Sequence, residues 1–462
     1  MDAQVKAEIT QQSVLSIKEK LAFFTVNIGN IPIMTLLGSY LLLFYTDVVG
    51  LDPIQIGTLF LLSRILDGIN DPIMGYVIDH LPQTKWGRFR PYLVLGTIIL
   101  CLNYLVLWLG PSMATSGKMV IAFISYLLFG FTFDLMDIPL NSMIPVMSDR
   151  DRDRSTLANL KGVAYLAGGI IITLGALPLI ERFASKREGF HAVIIGATLF
   201  VLLFSILGTL GIKERIAPVN AEKYSIKDAL KILRARPVSI LFLNTLVLQI
   251  GNGMTQGIIL FFFIYVLKRS DLYPVAGASY IVGIIAAVIL TPILVKRIGA
   301  KTTKSIANIL ALVGMLMMFF IPASLPFVFI AILLVTSPGT GIQQILFYGL
   351  QADATDYVEW KFGYRAEGVI ASVFSFIVKA GLGIGSALGA YFLGIYHYVP
   401  NVDQTAETIR GLYMANFLIP AILAAIAVTI WILGYPLSKI AREKMMIEMV
   451  EIRKARDGYV KQ

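Results

Sequence analysis

An arginine and two aspartates interrupt an apolar stretch of the sequence, and their spacing places them on one helical face. Arg64, Asp67 and Asp71 fall within an arc of about 60° at 3.6 residues per turn. A charged side chain at the centre of a bilayer costs at least about 2.5–3.5 kcal/mol unless it is paired or hydrated. Asn70 adds an amide oxygen, so the segment carries ligands suited to a small alkali cation or a proton. A structural Arg64–Asp67 ion pair is the alternative, but it leaves Asp71 without a partner on its own helix.

A second acidic pair, Asp134 and Asp137, lies three residues apart in another apolar segment, shortly before Pro139. Proline removes a helical hydrogen bond and frees a backbone carbonyl group. If this segment faces the first one, like-charge repulsion favours a site whose protonation or cation occupancy changes during a cycle. A helix cap or an interhelical hydrogen bond is the structural alternative for Asp134.

Two lysines are the expected counter-charges in later apolar segments. Lys379 lies deep within its segment, and its predicted partners are carboxylates or an acidic or hydroxylated substrate. Lys161 lies closer to a loop, so extension of its ammonium group to the membrane surface is an alternative to a role in a cavity.

The composition predicts an all-α polytopic membrane protein. The chain is 57% hydrophobic and only 15% charged, and its mean hydropathy is +0.76, whereas soluble proteins carry about a quarter charged residues. Twelve apolar segments of about 20 residues each predict twelve transmembrane helices. The single cysteine, Cys101, excludes a disulfide framework. Three scattered histidines, with no metal-ligand spacing or nucleophile–base pair, make a membrane-embedded enzyme the weakest alternative.

A long polar break predicts two six-helix bundles, with a substrate site between them at mid-membrane. We expect an N-terminal bundle at 1–212, a cytoplasmic linker at 213–237, a C-terminal bundle at 238–437 and a cytoplasmic tail at 438–462. Most of the 39 lysine and arginine residues fall on the side of the termini, which predicts cytoplasmic termini in the cell (inner) membrane. The basic residues are spread over loops, so the predicted partner is the lipid bilayer and not nucleic acid. The protein is expected to function as a monomer.

Five motifs together resemble one transporter family. They are Tyr45–Gly50, Asp67–Gly75, Trp86–Pro91, Met136–Pro139 and Ala352–Tyr357. As a set they are similar to the glycoside–pentoside–hexuronide:cation symporters of the major facilitator superfamily, of which the melibiose permease is the best-known type. The resemblance extends over almost the whole chain and implies uptake of a sugar coupled to inward movement of Na⁺ or H⁺.

With this resemblance, the predicted site residues form three groups. The cation-binding group is Asp67, Asn70, Asp71 and Asp134. The substrate-binding group is Asn27, Asn30, Arg64, Asp137, Lys161, Gln344 and Lys379. The gating group is Asp79, Arg88, Arg90, Asp353, Asp356 and Arg365. Asp79 is expected to pair with basic residues of a neighbouring helix and hold one conformation closed. The acidic 353–361 loop is expected to form salt bridges with the 148–155 loop of the other half.

Departures from melibiose-type members affect the expected substrate and ion. Their first helix carries a sugar-binding aspartate, whereas the region of Asn27 and Asn30 has no acid here, which argues against a galactoside. Asp134 replaces a hydroxyl residue of their cation site, and its extra charge favours a proton or tighter cation binding. Gln344 falls close to a tryptophan of those members, so an aromatic stacking surface is expected to be missing.

The leading hypothesis is a cation:sugar symporter that imports a glycoside, pentoside or hexuronide by alternating access. An uncoupled facilitator or an exporter on the same scaffold is the alternative. No cofactor or structural metal is expected, and the coupling ion is either Na⁺ or H⁺.

Overall fold

The computed structural model describes residues 15–79, 82–148, 150–215, 232–363 and 367–460. Arg365 and most of the predicted linker lie outside these ranges. The side chains of Asp71 and Asp79 also lie outside what is described, although both residues belong to a described helix. The contacts divide the chain into two compact units, Met1–Asn220 and Ala221–Gln462.

The described residues of unit 1 form six long helices. They are α1 (Ile17–Leu43, continued by a π-helical turn, Phe44–Val49), α2 (Pro53–Asp79), α3 (Arg90–Met113), α4 (Lys118–Met147), α5 (Asp151–Ile180) and α6 (Lys186–Gly211). Local sequence explains several helix starts. Ser16 and Glu19 form a reciprocal capping box on α1, Ser185 caps α6, and a proline occupies the first turn of α3.

Unit 2 repeats this arrangement and adds a terminal helix. Its elements are α7 (Arg236–Phe261, continued by a π-helical turn, Phe262–Val266), α8 (Leu272–Phe320), α9 (Pro326–Phe362), α10 (Glu367–Ile395), α11 (Ala406–Tyr413), a π-helical turn (Met414–Leu418), α12 (Ile419–Gly434) and α13 (Lys439–Val460). Gly299 has φ 82° and ψ 161°, a non-helical conformation that divides the 49-residue α8 into two helices.

The described residues contain ten helices that are long and apolar enough to cross a membrane. One of these is α8, which is two helices joined at Gly299. The charged helix α2 is not among the ten, but it is 27 residues long and lies between two of them. With α8 divided and α2 included, the described part of the chain has the twelve helices that the sequence predicts. The protein is an all-α, multi-pass membrane protein, as predicted.

Glycines allow the helices of each unit to approach closely. A Cβ atom at Gly253 of α7 would overlap the carbonyl group of Leu382, and one at Gly385 of α10 would overlap that of Ile250. Packing of small residues replaces the hydrophobic driving force between helices in lipid. These two glycines therefore hold α7 against α10.

Candidate cation and sugar site

Arg64 and Asp67 form the ion pair that their spacing allows. The Arg64 guanidinium donates to Asp67 Oδ2 at 2.8 Å, and both side chains are partly exposed. The same guanidinium lies 3.5 Å from the hydroxyl of Tyr126 on α4. The structural alternative for Arg64 is therefore present, and it also links α2 to α4.

Asp67 lies against Gly130 of α4, a residue without a side chain. A Cβ atom at Gly130 would lie 2.5 Å from Asp67 Oδ1, which is too close for any other residue without movement of the carboxylate. Gly130 is one turn beyond Tyr126, and Asp67 is nearly one turn beyond Arg64. The two helices thus contact each other through successive polar positions.

The next contact along these helices is buried. Asn70 Nδ2 donates to Asp134 Oδ2 at 2.7 Å, and the two residues are only 1% and 4% exposed. Asn70 Oδ1 is also buried and has no hydrogen-bond partner among the described residues. The interhelical hydrogen bond considered for Asp134 is formed, and it leaves an amide oxygen available as a ligand.

These side chains fit a hard cation or a proton. Asp67, Asn70 and Asp134 bring carboxylate and amide oxygens together on two helices, and such oxygens suit small hard ions. Asp71 follows Asn70 on the same helix. Its proposed part in the site remains a prediction.

A second polar group joins α4 to α5. Asn141 Nδ2 donates to Asp137 Oδ2 at 2.8 Å, and Asn141 Oδ1 accepts from the ammonium group of Lys161. That ammonium group also lies 5.3 Å from the centre of the Tyr165 ring. One neutral amide therefore orients a carboxylate and an ammonium group that the sequence assigns to substrate binding.

The other predicted substrate residues lie in different surroundings. Asn27 and Asn30 are buried in unit 1, where Asn27 donates to the Phe23 carbonyl at 2.7 Å and Asn30 accepts from Ser205 at 3.0 Å. In unit 2, Gln344 Nε2 lies 2.8 Å from the hydroxyl of Tyr280. Lys379 is half-buried on α10. Their roles in substrate binding stay predictions, but Tyr280 does place an aromatic ring beside Gln344.

Backbone N–H groups at the start of α3 bind the carboxylate of Glu214. Glu214 accepts backbone N–H groups of Arg88 at 2.7 Å, Phe89 at 2.8 Å and Arg90 at 2.9 Å. These groups begin α3, where N–H groups lack helical partners and the helix dipole favours a negative charge. Gly87 has φ 109°, and a Cβ atom there would lie 2.5 Å from Glu214 Oε1. Glycine is therefore required at this position by both conformation and space.

Side chains at the same end of unit 1 connect other helix ends. Arg90 donates to the carbonyl groups of Thr209 and Leu210 at 3.2 and 3.1 Å, at the end of α6. Arg215 pairs with Glu19 at 2.5 Å, and its backbone N–H donates to the Val146 carbonyl at 2.8 Å. The predicted gating residues Arg88 and Arg90 thus hold helix ends together within unit 1.

Comparison with known proteins decides the family. A model of the family described as MFS/sugar transport protein matches residues 26–439. The chain is 32% identical to an isoprimeverose transporter of Lactiplantibacillus pentosus, over 92% of this chain and 89% of that one. It is 30% identical to a glucuronide carrier protein homologue of Escherichia coli, over 91% and 93% of the two chains. The chain belongs to the MFS/sugar transport family.

Solved structures of other transporters share the fold of this family member. A nucleoside transporter superposes with a TM-score of 0.66 at 13% identity, over 90% of this chain and all of the other. A bacterial homologue of ferroportin in an inward-facing state gives 0.65 at 14% identity, over 92% and 100%. The predicted resemblance to the glycoside–pentoside–hexuronide symporters is confirmed, and this MFS protein is a membrane transporter and not an enzyme.

In unit 2 of the transporter, a predicted gating residue is bound by the terminal helix. Asp353 Oδ1 accepts from Arg442 Nε at 2.7 Å, and Trp360 Nε1 donates to Glu448 at 2.8 Å. Met445 and Met449 of the same helix are buried in the core of unit 2. Asp356 is half-buried one turn further along α9. The sequence does not predict that α13 docks against this acidic motif.

Sequence reasoning missed several residues that contact the predicted ones. Besides Tyr126 and Ser205, they include Asn141, Tyr280, Glu214 and Arg442. Only Asn141 has a local signal, since it lies four residues after Asp137 and thus on the same helical face. The partners of the others are distant in sequence or belong to other helices. A local sequence pattern therefore does not reveal these contacts.

Proposed function

We propose that this transporter is a symporter that imports a sugar or glycoside together with Na⁺ or H⁺ by alternating access. The supporting observation is the α2–α4 contact, where Asn70 and Asp134 are buried together beside the Arg64–Asp67 pair. Buried acidic groups in a membrane helix are costly and are retained chiefly where ions or substrates pass. We place the coupling ion there, with Asp71 completing the oxygen ligands.

Cation binding would act on the sugar site through α4. Asp134 and Asp137 lie less than one turn apart on that helix, and Asn141 is one turn further. A cation or proton held at Asp134 changes the charge beside Asp137. By linkage, an ion that raises sugar affinity is itself bound more tightly when the sugar is present.

The sugar site is proposed at the Asp137–Asn141–Lys161 group. A carboxylate accepts hydrogen bonds from sugar hydroxyls, and an ammonium group donates to hydroxyls or pairs with a uronate carboxylate. Relatives named for isoprimeverose and for glucuronides support glycosides, pentosides or hexuronides as the substrate class. The further proposed contacts are Asn27, Asn30, Arg64, Gln344 and Lys379.

The proposed location is the cell (inner) membrane, with both termini in the cytoplasm. The basic ends of unit 1, at Arg90 and Arg215, then lie on the cytoplasmic side, as expected from the distribution of lysine and arginine. The gating roles of Asp79, Asp353, Asp356 and Arg365 are part of the same proposal, as is function as a monomer.

Uptake into proteoliposomes tests the proposed function. With the purified protein, an inward Na⁺ or H⁺ gradient is expected to drive accumulation of a labelled glycoside, pentoside or glucuronide above its external concentration. One of the two gradients should suffice, because the proposed site holds one kind of coupling ion. Equilibration without accumulation under either gradient would identify an uncoupled facilitator, and accumulation only under an outward gradient would indicate an exporter.

Replacing Asn141 by leucine should raise the KM for the transported sugar by about tenfold, with a smaller effect on maximal rate. The variant Asn141→Leu removes hydrogen bonds to both charged groups, each worth about 1.5–3 kcal/mol when fully formed, and about 1.4 kcal/mol is tenfold in affinity. Initial uptake rates over a range of sugar concentrations measure this change.

The matched control is Ser142→Ala on the same turn of α4. The Ser142 hydroxyl donates to the Ile138 carbonyl of its own helix at 2.9 Å, so its loss should leave the KM unchanged. An unchanged KM in folded Asn141→Leu would refute the positioning role of Asn141.

A further inference from the structure

In unit 2, polar side chains of α7 donate to backbone carbonyl groups of α12 and of the π-helical turn before it. Asn244 Nδ2 donates to the Ala427 carbonyl at 2.8 Å, and Thr255 Oγ1 donates to the Asn416 carbonyl at 3.2 Å. Between these levels, a Cβ atom at Gly251 would lie 3.6 Å from Pro420 Cα. The small residue leaves space in the middle of this contact, beside the second helix of α8.

Asn308 enters this space from α8 and is 1% exposed. Neither its Oδ1 nor its Nδ2 has a hydrogen-bond partner in the described part of the chain. An asparagine amide offers two donors and an acceptor with two lone pairs. Buried polar groups of this kind are nearly always satisfied by protein or by ordered water.

The cavity at Asn308 has further polar groups on its wall. Thr340 and Gln343 of α9 line it, and Asn252 of α7 lies at its exposed rim. The remaining lining is largely apolar and includes Met315 of α8. The Thr340 hydroxyl donates to the Ser337 carbonyl at 2.8 Å, so its oxygen can still accept a hydrogen bond.

The size and chemistry of the cavity select its ligand. The free space is about that of one water molecule, which excludes a sugar. The residues that line the cavity include amides and a hydroxyl but no carboxylate, so nothing there balances the charge of a metal ion. Water forms two to four hydrogen bonds in such sites and can both donate and accept.

We propose that Asn308 binds a structural water molecule that bridges it to the polar groups of α9. The water satisfies the buried amide and links α8 to α9 inside unit 2. This water site is in unit 2, whereas the proposed cation ligands and the Asp137–Asn141–Lys161 group are on α2, α4 and α5 of unit 1. It does not depend on the identity of the transported sugar.

Hydroxyl-radical labelling of the full-length protein tests the water site. When X-rays are used for the labelling, radiolysis splits water bound inside the protein, and the hydroxyl radicals formed there oxidise nearby methionines. Met315 should therefore be labelled readily in the wild type. Asn308→Leu has a similar size but cannot bind water, and it should lower the labelling rate of Met315 several-fold. Met317, which is 48% exposed on the same helix, serves as an internal control whose rate should not change.

Asn308→Ser is the second variant, because it keeps a polar group and leaves more room. Its Met315 labelling rate should equal or exceed that of the wild type. Equal rates for wild type and Asn308→Leu, or equal losses in both variants, would overturn the proposal. If Asn308→Leu does not fold, a high-resolution map of the wild type decides the question. Density about 3 Å from the Asn308 amide supports the water site, and an ordered side chain without such density overturns it.

Discussion

Replacing Asp134 by asparagine is expected to abolish cation-driven accumulation of sugar while the protein still folds. The carboxylate accepts a hydrogen bond from Asn70 Nδ2 at 2.7 Å in a buried contact between α2 and α4. An asparagine side chain has the same size, and its amide oxygen can accept the same bond. The variant Asp134→Asn therefore removes the negative charge and leaves the contact between the helices.

The size of the effect follows from the role of a charged ligand. Loss of a ligand or of its close supporting group typically lowers ion affinity by about 10–100-fold. We expect the concentration of Na⁺ or H⁺ for half-maximal uptake to rise by at least about tenfold, equivalent to about 1.4 kcal/mol. Accumulation against a sugar gradient should be lost, whereas exchange of sugar across the membrane persists. Asp71→Asn is expected to behave in the same way.

The experiment compares accumulation and exchange in proteoliposomes for each variant. Asp403→Asn is a suitable control, because Asp403 is an exposed residue paired with Lys268 in a loop of unit 2. It should accumulate sugar as the wild type does. Full accumulation by Asp134→Asn would mean that Asp134 serves only as a hydrogen-bond acceptor for Asn70.

Replacing Glu214 by glutamine is expected to lower the stability of the protein substantially. Both carboxylate oxygens are in use: Oε2 accepts from Arg88, and Oε1 accepts from Phe89 and Arg90. Glutamine has one acceptor oxygen, and its NH₂ group would face a backbone N–H donor. Hydrogen bonds to charged groups are worth about 1.5–3 kcal/mol each, and an anion at a helix N-terminus adds about 0.3–1 kcal/mol.

We expect Glu214→Gln to reduce the free energy of unfolding by about 2–3 kcal/mol. For a unit of this size, that loss corresponds to a fall of about 5–10 °C in the thermal midpoint. Thermal unfolding of the detergent-solubilised protein measures it, with Glu181→Gln as the control, since Glu181 is an exposed acid at the end of α5. Equal midpoints for both variants would show that water replaces the carboxylate at no cost.

The helices were predicted correctly from the sequence, because they follow from apolar runs long enough to span a bilayer. The i, i+3 spacing of Arg64 and Asp67 offered their ion pair only as the alternative, and the structure shows that this pair is formed. In lipid, the backbone must satisfy its own hydrogen bonds, so each apolar run becomes a helix whatever its neighbours are. Composition and local periodicity were therefore sufficient for the helices.

Contacts between distant segments were not predictable in this way. Asn70 and Asp134 are 64 positions apart, and Glu214 is 126 positions from Arg88. The acidic helices α2 and α4 pack together because Gly130 leaves room for Asp67. The spacing of the aspartates along the sequence does not reveal this contact. For Asp353, charge alone suggested a partner in the other half, whereas Arg442 of α13 binds it within unit 2.

The sequence by itself determined the membrane class, the helices, the family resemblance and the residue types available for binding an ion and a sugar. Those properties depend on local hydrophobicity and on which groups can donate, accept or carry charge. Only the tertiary structure decided that Asn70 binds Asp134 and that Asn141 joins Asp137 to Lys161. It alone also decided that Glu214 accepts hydrogen bonds from the backbone N–H groups at the start of α3. These pairings depend on which helices pack together and at what depth, and that choice is made by the shapes of entire helix surfaces.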